Sequence, residues 1–84
     1  MSRKDLKRCL FTVLLGATDY RMAKNEIQER IAKMLNLDPE DWHWQDELRW
    51  VRSNCVSEGA IYKSGHSGRG FWQLTPLGVQ LAQN

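Results

Sequence analysis

The chain has 84 residues, 42% of them hydrophobic, with four Trp and a formal net charge of +2. A chain of this length buries one small core, with roughly 5,000 Å² exposed when folded against about 14,000 Å² unfolded, which leaves little room for a deep substrate pocket as well. The composition excludes a disordered chain. No apolar run approaches the roughly 18 residues of a membrane span, and no small-residue cleavage site follows "LFTVLLGA", as a secretory leader would require.

The first predicted element is an amphipathic helix, with Leu6, Cys9, Leu10, Val13 and Leu14 at i, i+3, i+4, i+7 and i+8. Ser2 is its expected N-cap and Gly16 its stop. "TDYRM" reads as a loop with one short strand. From Ala23 a second helix carries Ile27, Ile31, Met34 and Leu35 on its inner face, and Asn36 ends it. Asp38 and Pro39 suit the cap and first turn of a brief helical piece. A third helix is expected from about Trp44 to Glu58, with Leu48, Val51 and Cys55 inside, Gln45, Arg49, Arg52 and Ser53 pointing away, and Gly59 closing it. "AIYKSGHSGRGFWQL" then reads as two antiparallel strands with Ile61, Trp72 and Leu74 on one face and a glycine-rich turn between them. Thr75 and Pro76 start a short last helix, weakened by Gly78.

This order gives a fold class that is mainly α with a β-hairpin. The layout is a winged helix-turn-helix: a three-helix core, a wing over 63–70 and a short C-terminal helix, in one domain over 1–84. Arg69, between Gly68 and Gly70, is expected at the wing tip, where a nucleic-acid backbone would pass.

Cys9 and Cys55 are too few for a disulfide framework and lack metal-ligand spacing. Both fall on apolar helical positions, so they read as buried free thiols in a reducing, cytoplasmic setting. Asp38, Glu40, Asp41, Asp46 and Glu47 crowd around His43, a set able in principle to bind a metal or move protons. However, no Lys lies between Lys33 and Lys63, so the nuclease pattern of acids followed by lysine is missing, and acids gather at helix N-termini in any case. "SGRGF" leads into a strand and not into a helix, so it is not a phosphate loop. The expectation is no enzyme, no metal and no cofactor.

The stretch 47–78 resembles the N-terminal winged-helix domain of Mrr-type, modification-dependent restriction endonucleases. The resemblance rests on Arg49, Trp50, Val51, Cys55, Gly59 and Ile61 in the helix and its exit. It continues through Arg69, Gly70, Trp72, Leu74, Thr75 and Gly78 in the hairpin and beyond. Val51 and Cys55 depart from the Ala and Leu that the family favours. The resemblance implies a domain that docks DNA ahead of a separate nuclease domain. The six residues after Gly78 hold no nuclease, so cleavage is not carried over.

Charge is unevenly spread. Residues 1–35 carry eight Lys or Arg and four acids, residues 36–58 two Arg and six acids, and residues 59–84 Lys63 and Arg69 with no acid. The basic ends suit phosphates, and Arg49 and Arg52 are spaced to reach base edges, arginine on guanine being the commonest specific contact. The expected DNA-binding residues are Gln45, Arg49, Arg52, Ser53, Lys63, His66 and Arg69. The expected partner is double-stranded DNA, with a nuclease or other protein as a second partner class and no membrane. The rival readings are a winged helix for protein–protein contact, favoured by the acidic middle, and a small transcription regulator. The four Trp read chiefly as core, with a base-holding aromatic cage around Trp42 as the sharper alternative.

Overall fold

The computed structural model describes residues 2–63 and 65–84; Ser64, inside the expected 63–70 wing, lies outside the described residues. Helix α1 (Arg3–Leu15) starts where Ser2 Oγ accepts the Lys4 backbone N–H at 3.1 Å, and its expected stripe from Leu6 to Leu14 is buried. A single 3-10 turn, Thr18–Tyr20, follows, with Asp19 and Tyr20 both at φ 57°. This left-handed kink is held from across the sheet. Gln73 Nε2 donates to Asp19 O at 3.0 Å, and the Leu74 N–H donates to Tyr20 O at 3.0 Å. The kink turns the chain into strand β1 (Arg21–Ala23).

Helix α2 (Lys24–Leu35) buries Ile27, Ile31 and Ala32, with Leu35 half-buried. Met34, expected on the inner face, is exposed, because the buried face is centred toward Ala32 and Leu35 and position 34 falls on its far margin. Asn36 takes φ 54°, and the Leu37 N–H reaches back to Ala32 O at 2.8 Å, so the chain leaves α2 in a left-handed cap.

No separate helix forms at Asp38–Pro39. Asp38 instead braces a turn, its Oδ1 accepting the Glu40 N–H at 3.0 Å and its carbonyl the Trp44 indole N–H at 2.7 Å. Asp41 is the working cap, accepting the His43 N–H at 2.9 Å. Helix α3 (Trp42–Ser57) therefore begins two residues before the expected start. Trp44, Leu48, Val51 and Cys55 face inward, and Gly59, at φ 82°, turns the chain out.

The expected hairpin ladder is only partly formed. Strand β2 (Phe71–Gln73) has β1 as its ladder partner, antiparallel, with Arg21 opposite Gln73, Met22 opposite Trp72 and Ala23 opposite Phe71. On its other side β2 gains a single Ile61–Leu74 bridge and a Tyr62 N–H to Gln73 O bond of 3.1 Å. Ile61, Trp72 and Leu74 are buried as expected.

Helix α4 (Pro76–Gln83) is capped by Thr75, whose Oγ1 accepts the Gly78 N–H at 3.0 Å. Gly78 is a requirement of packing more than a weakness of the helix, since a Cβ there would stand 2.0 Å from Ala60 O. One core cluster joins all four helices and both strands. Among the described residues, no helix is long and apolar enough to cross a membrane.

Candidate nucleic-acid interface

Helix α3 has three distinct edges, because its side chains advance about 100° per residue. The first edge faces α1 and holds Glu47 and Glu58. Arg3 Nε donates to Glu47 Oε2, a pairing that holds the guanidinium pKa further above its ordinary value, and Lys7 Nζ meets Glu58 Oε2 at 3.2 Å. Two of the helix's acids are thus drawn toward α1.

The second edge faces β2. Arg52 lies here, with its guanidinium carbon 5.6 Å from the centre of the Trp72 ring. Its Nε is buried and finds no hydrogen-bond partner among the described residues. A buried donor without a partner is uncommon and calls for a reason. Here the Trp72 ring occupies the neighbouring space, and the side chain is half-buried against it instead of pointing freely away as the sequence suggests. Gln45, expected to be free, donates through Nε2 to Pro39 O and braces the turn before the helix.

The third edge is the outward face. Arg49 and Ser53 are exposed and line a shallow hollow with Asp46 and Trp50. Among the described residues no ion pair joins Asp46 to Arg49. Trp42 and Trp50 are 64% and 54% exposed, so only Trp44 and Trp72 of the four indoles serve the core. Trp42 stacks on His43, with ring centroids 3.9 Å apart.

In the glycine loop, Lys63, His66 and Arg69 are exposed. A Gly65–Gly68 bridge puts His66 and Ser67 at the tip. Arg69 therefore sits just behind the tip, in a turn closed by the Phe71 N–H on Gly68 O at 3.1 Å, with Gly70 at φ 79°. The Lys24 N–H donates to Gly70 O at 2.8 Å, which ties this turn to the start of α2. His66 stacks on Tyr62 at 4.1 Å and 9°, so its ring is held at the base of the loop.

Sequence reasoning missed Arg21. Its Cζ lies 3.7 Å from the Phe71 ring centre, and its Nε donates to Ser67 O at 2.6 Å. Nothing local marks it, since its partners lie some fifty positions away along the chain. The one available signal is an arginine in a strand beside a loop rich in glycine. Gly68 lies under it at φ 101°, a backbone conformation that favours glycine.

Cys9 and Cys55 are buried and free, and burial pushes the Cys55 thiol up to about 11. Among the described residues no three His, Cys, Asp or Glu side chains gather where a metal ion could be held. Compared with known proteins, the chain matches no family model, no curated protein and no solved structure.

Proposed function

We propose that this chain is a winged-helix module that binds double-stranded DNA without catalysis. By resemblance it is akin to the DNA-reading domain of Mrr-type restriction enzymes. In this reading α3 lies in the major groove and the 63–70 wing lies on flanking phosphates. The observation that carries it is the division of charge across α3. Glu47 and Glu58 are paired to Arg3 and Lys7 on the α1 edge, while Arg49 and Arg52 occupy the other edges, Arg52 resting on the Trp72 ring. Arg21, Lys63 and Arg69 extend the cationic surface into β1 and the loop. An arginine packed against an aromatic ring has lost side-chain freedom before binding, which lowers the cost of a bidentate contact to guanine.

The test is a fluorescence-anisotropy titration of labelled duplex DNA over a series of salt concentrations. Affinity is expected to fall linearly on a log–log salt plot. Arg69→Ala lowers the slope by about 1, and Arg52→Ala costs about 1–3 kcal/mol at the preferred sequence. Absence of binding at low salt with tens of micromolar protein overturns the reading.

One observation favours a protein–protein module instead. The outward face of α3 carries two large exposed indoles, Trp42 and Trp50, with Asp46 between them, a composition suited to a protein surface. Trp50→Ala separates the two readings, because it leaves phosphate contacts and the salt slope intact.

A further inference from the structure

A groove of about 400 Å³ runs between α1 and α4, lined by Lys4, Lys7, Arg8, Phe11, Leu81 and Ala82, with Glu58 at its margin. Its α1 wall is a second stripe on that helix. Lys4, Arg8, Phe11 and Thr12 fall at i, i+4, i+7 and i+8, on the side away from the core stripe of Leu6, Leu10 and Val13. Of this stripe only Phe11 is half-buried and packs against the core, while Lys4, Arg8 and Thr12 are exposed. On α4, Leu81 remains 40% exposed beside the half-buried Ala82, and the two complete the apolar lining with Phe11. The floor is therefore apolar and the rim cationic. Lys7 is paired to Glu58 at 3.2 Å, whereas Lys4 and Arg8 make no ion pair among the described residues.

We infer that this groove docks an acidic amphipathic helix from a protein partner. Charge complementarity selects that occupant. Leucine-like side chains cover Phe11, Leu81 and Ala82, and carboxylates meet Lys4 and Arg8. A nucleic-acid backbone would satisfy the rim and leave the apolar floor wet, and a purely apolar segment would desolvate the rim without pairing it. The groove is also separate from the proposed DNA surface. Glu58 and Arg49 are nine residues apart on α3, about two and a half turns, so they point to opposite edges of the helix. The inference does not rest on the DNA reading.

The test uses the whole chain, isotope-labelled, with amide shifts followed by NMR as a blocked peptide of about 14 residues is added. The peptide has Leu at i, i+3, i+4 and i+7 and Glu at most other positions, and a matched peptide has Lys in place of Glu. Shifts confined to Lys4–Thr12 and to residues 77–82, and binding at least about ten-fold weaker for the Lys peptide, support the inference. Lys4→Glu with Arg8→Glu weakens the Glu peptide by at least about ten-fold, and Glu58→Gln does not weaken it. Both changes are on the surface, and far-UV circular dichroism checks that the fold is kept. No shifts at about 1 mM peptide, equal binding of both peptides, or shifts centred on α3 and β2 overturn it. Sedimentation velocity provides the last arm: concentration-dependent self-association abolished by the Lys4→Glu, Arg8→Glu pair would make a second copy the occupant and overturn the assignment to a partner.

Discussion

The Arg21 guanidinium stacks on the Phe71 ring, with 3.7 Å from Cζ to the ring centre, while its Nε donates to Ser67 O at 2.6 Å. One side chain from β1 thus grips both the strand that leaves the glycine loop and the loop itself. Arg21 joins the Lys24 N–H bond to Gly70 O and the Ser67 Oγ bond to Gln73 Oε1 in holding the loop.

Replacing Arg21 tests this grip. Arg21→Ala is expected to weaken duplex binding by about 1–2 kcal/mol, roughly ten-fold, through the lost stacking and charged hydrogen bond. Arg21→Lys keeps the charge but not the planar fork, so it restores the salt slope without restoring the affinity. In the free protein, both variants should raise the amide exchange rates of residues 65–70. That readout stands even if DNA is not the ligand.

Gly78 and Gly16 should respond in opposite directions. Gly78→Ala drives a Cβ to 2.0 Å from Ala60 O, where Thr75 and Gly59 also lock the backbone, and should cost about 3 kcal/mol or more in urea unfolding. Gly16 has ordinary backbone angles, and its nearest neighbours would be at 3.7 Å, so Gly16→Ala should stabilise by about 0.5 kcal/mol.

The four indoles divide in the same experiment. Trp44→Ala and Trp72→Ala remove buried rings and should each cost about 3–5 kcal/mol. Trp42→Ala and Trp50→Ala should stay within about 1 kcal/mol of the parent, because both rings are mostly in water.

Two groups set opposite pH limbs. The Asp41 carboxylate accepts bonds from the His43 backbone N–H and ring, which hold its pKa below the ordinary value. Its stabilisation is therefore present above the unfolded-chain value of about 3.9 and is lost as pH falls through the lower folded value. Asp41→Asn keeps a cap and should flatten stability in that acid window.

Burial raises the Cys55 thiol to about 11. Its contribution is whole below the unfolded value of about 8.5 and fades as pH rises toward 11, because the unfolded chain gains a thiolate that the core refuses. Cys55→Ala should remove this share of the alkaline loss, and iodoacetamide should label Cys55 only when the chain opens.

Much of the helical frame was legible because its causes are local. The stripe from Leu6 to Leu14 is buried as its spacing requires, and Ser2, Asn36, Gly59 and Thr75 terminate elements through their own side chains or backbone freedom. Arg49, Ser53 and Lys63 are exposed as their patterns suggest, and Arg69 is exposed but behind the tip and not at it. The competition between Asp38 and Asp41 for the cap was not legible, since both are good caps, and the Trp44 bond to Asp38 O settles it.

By itself the sequence determined where helices run, which faces seek the core and how charge is shared between the ends and the middle. Periodicity and capping act over a turn or two of chain. Only the tertiary structure decided that β2 pairs with β1 more than with residue 61, that Gln45 is a brace, that Arg52 lies against Trp72, and that Arg21 holds the loop. Each of these depends on groups brought together across long stretches of chain or on competition for one space, and neither leaves a local pattern to read.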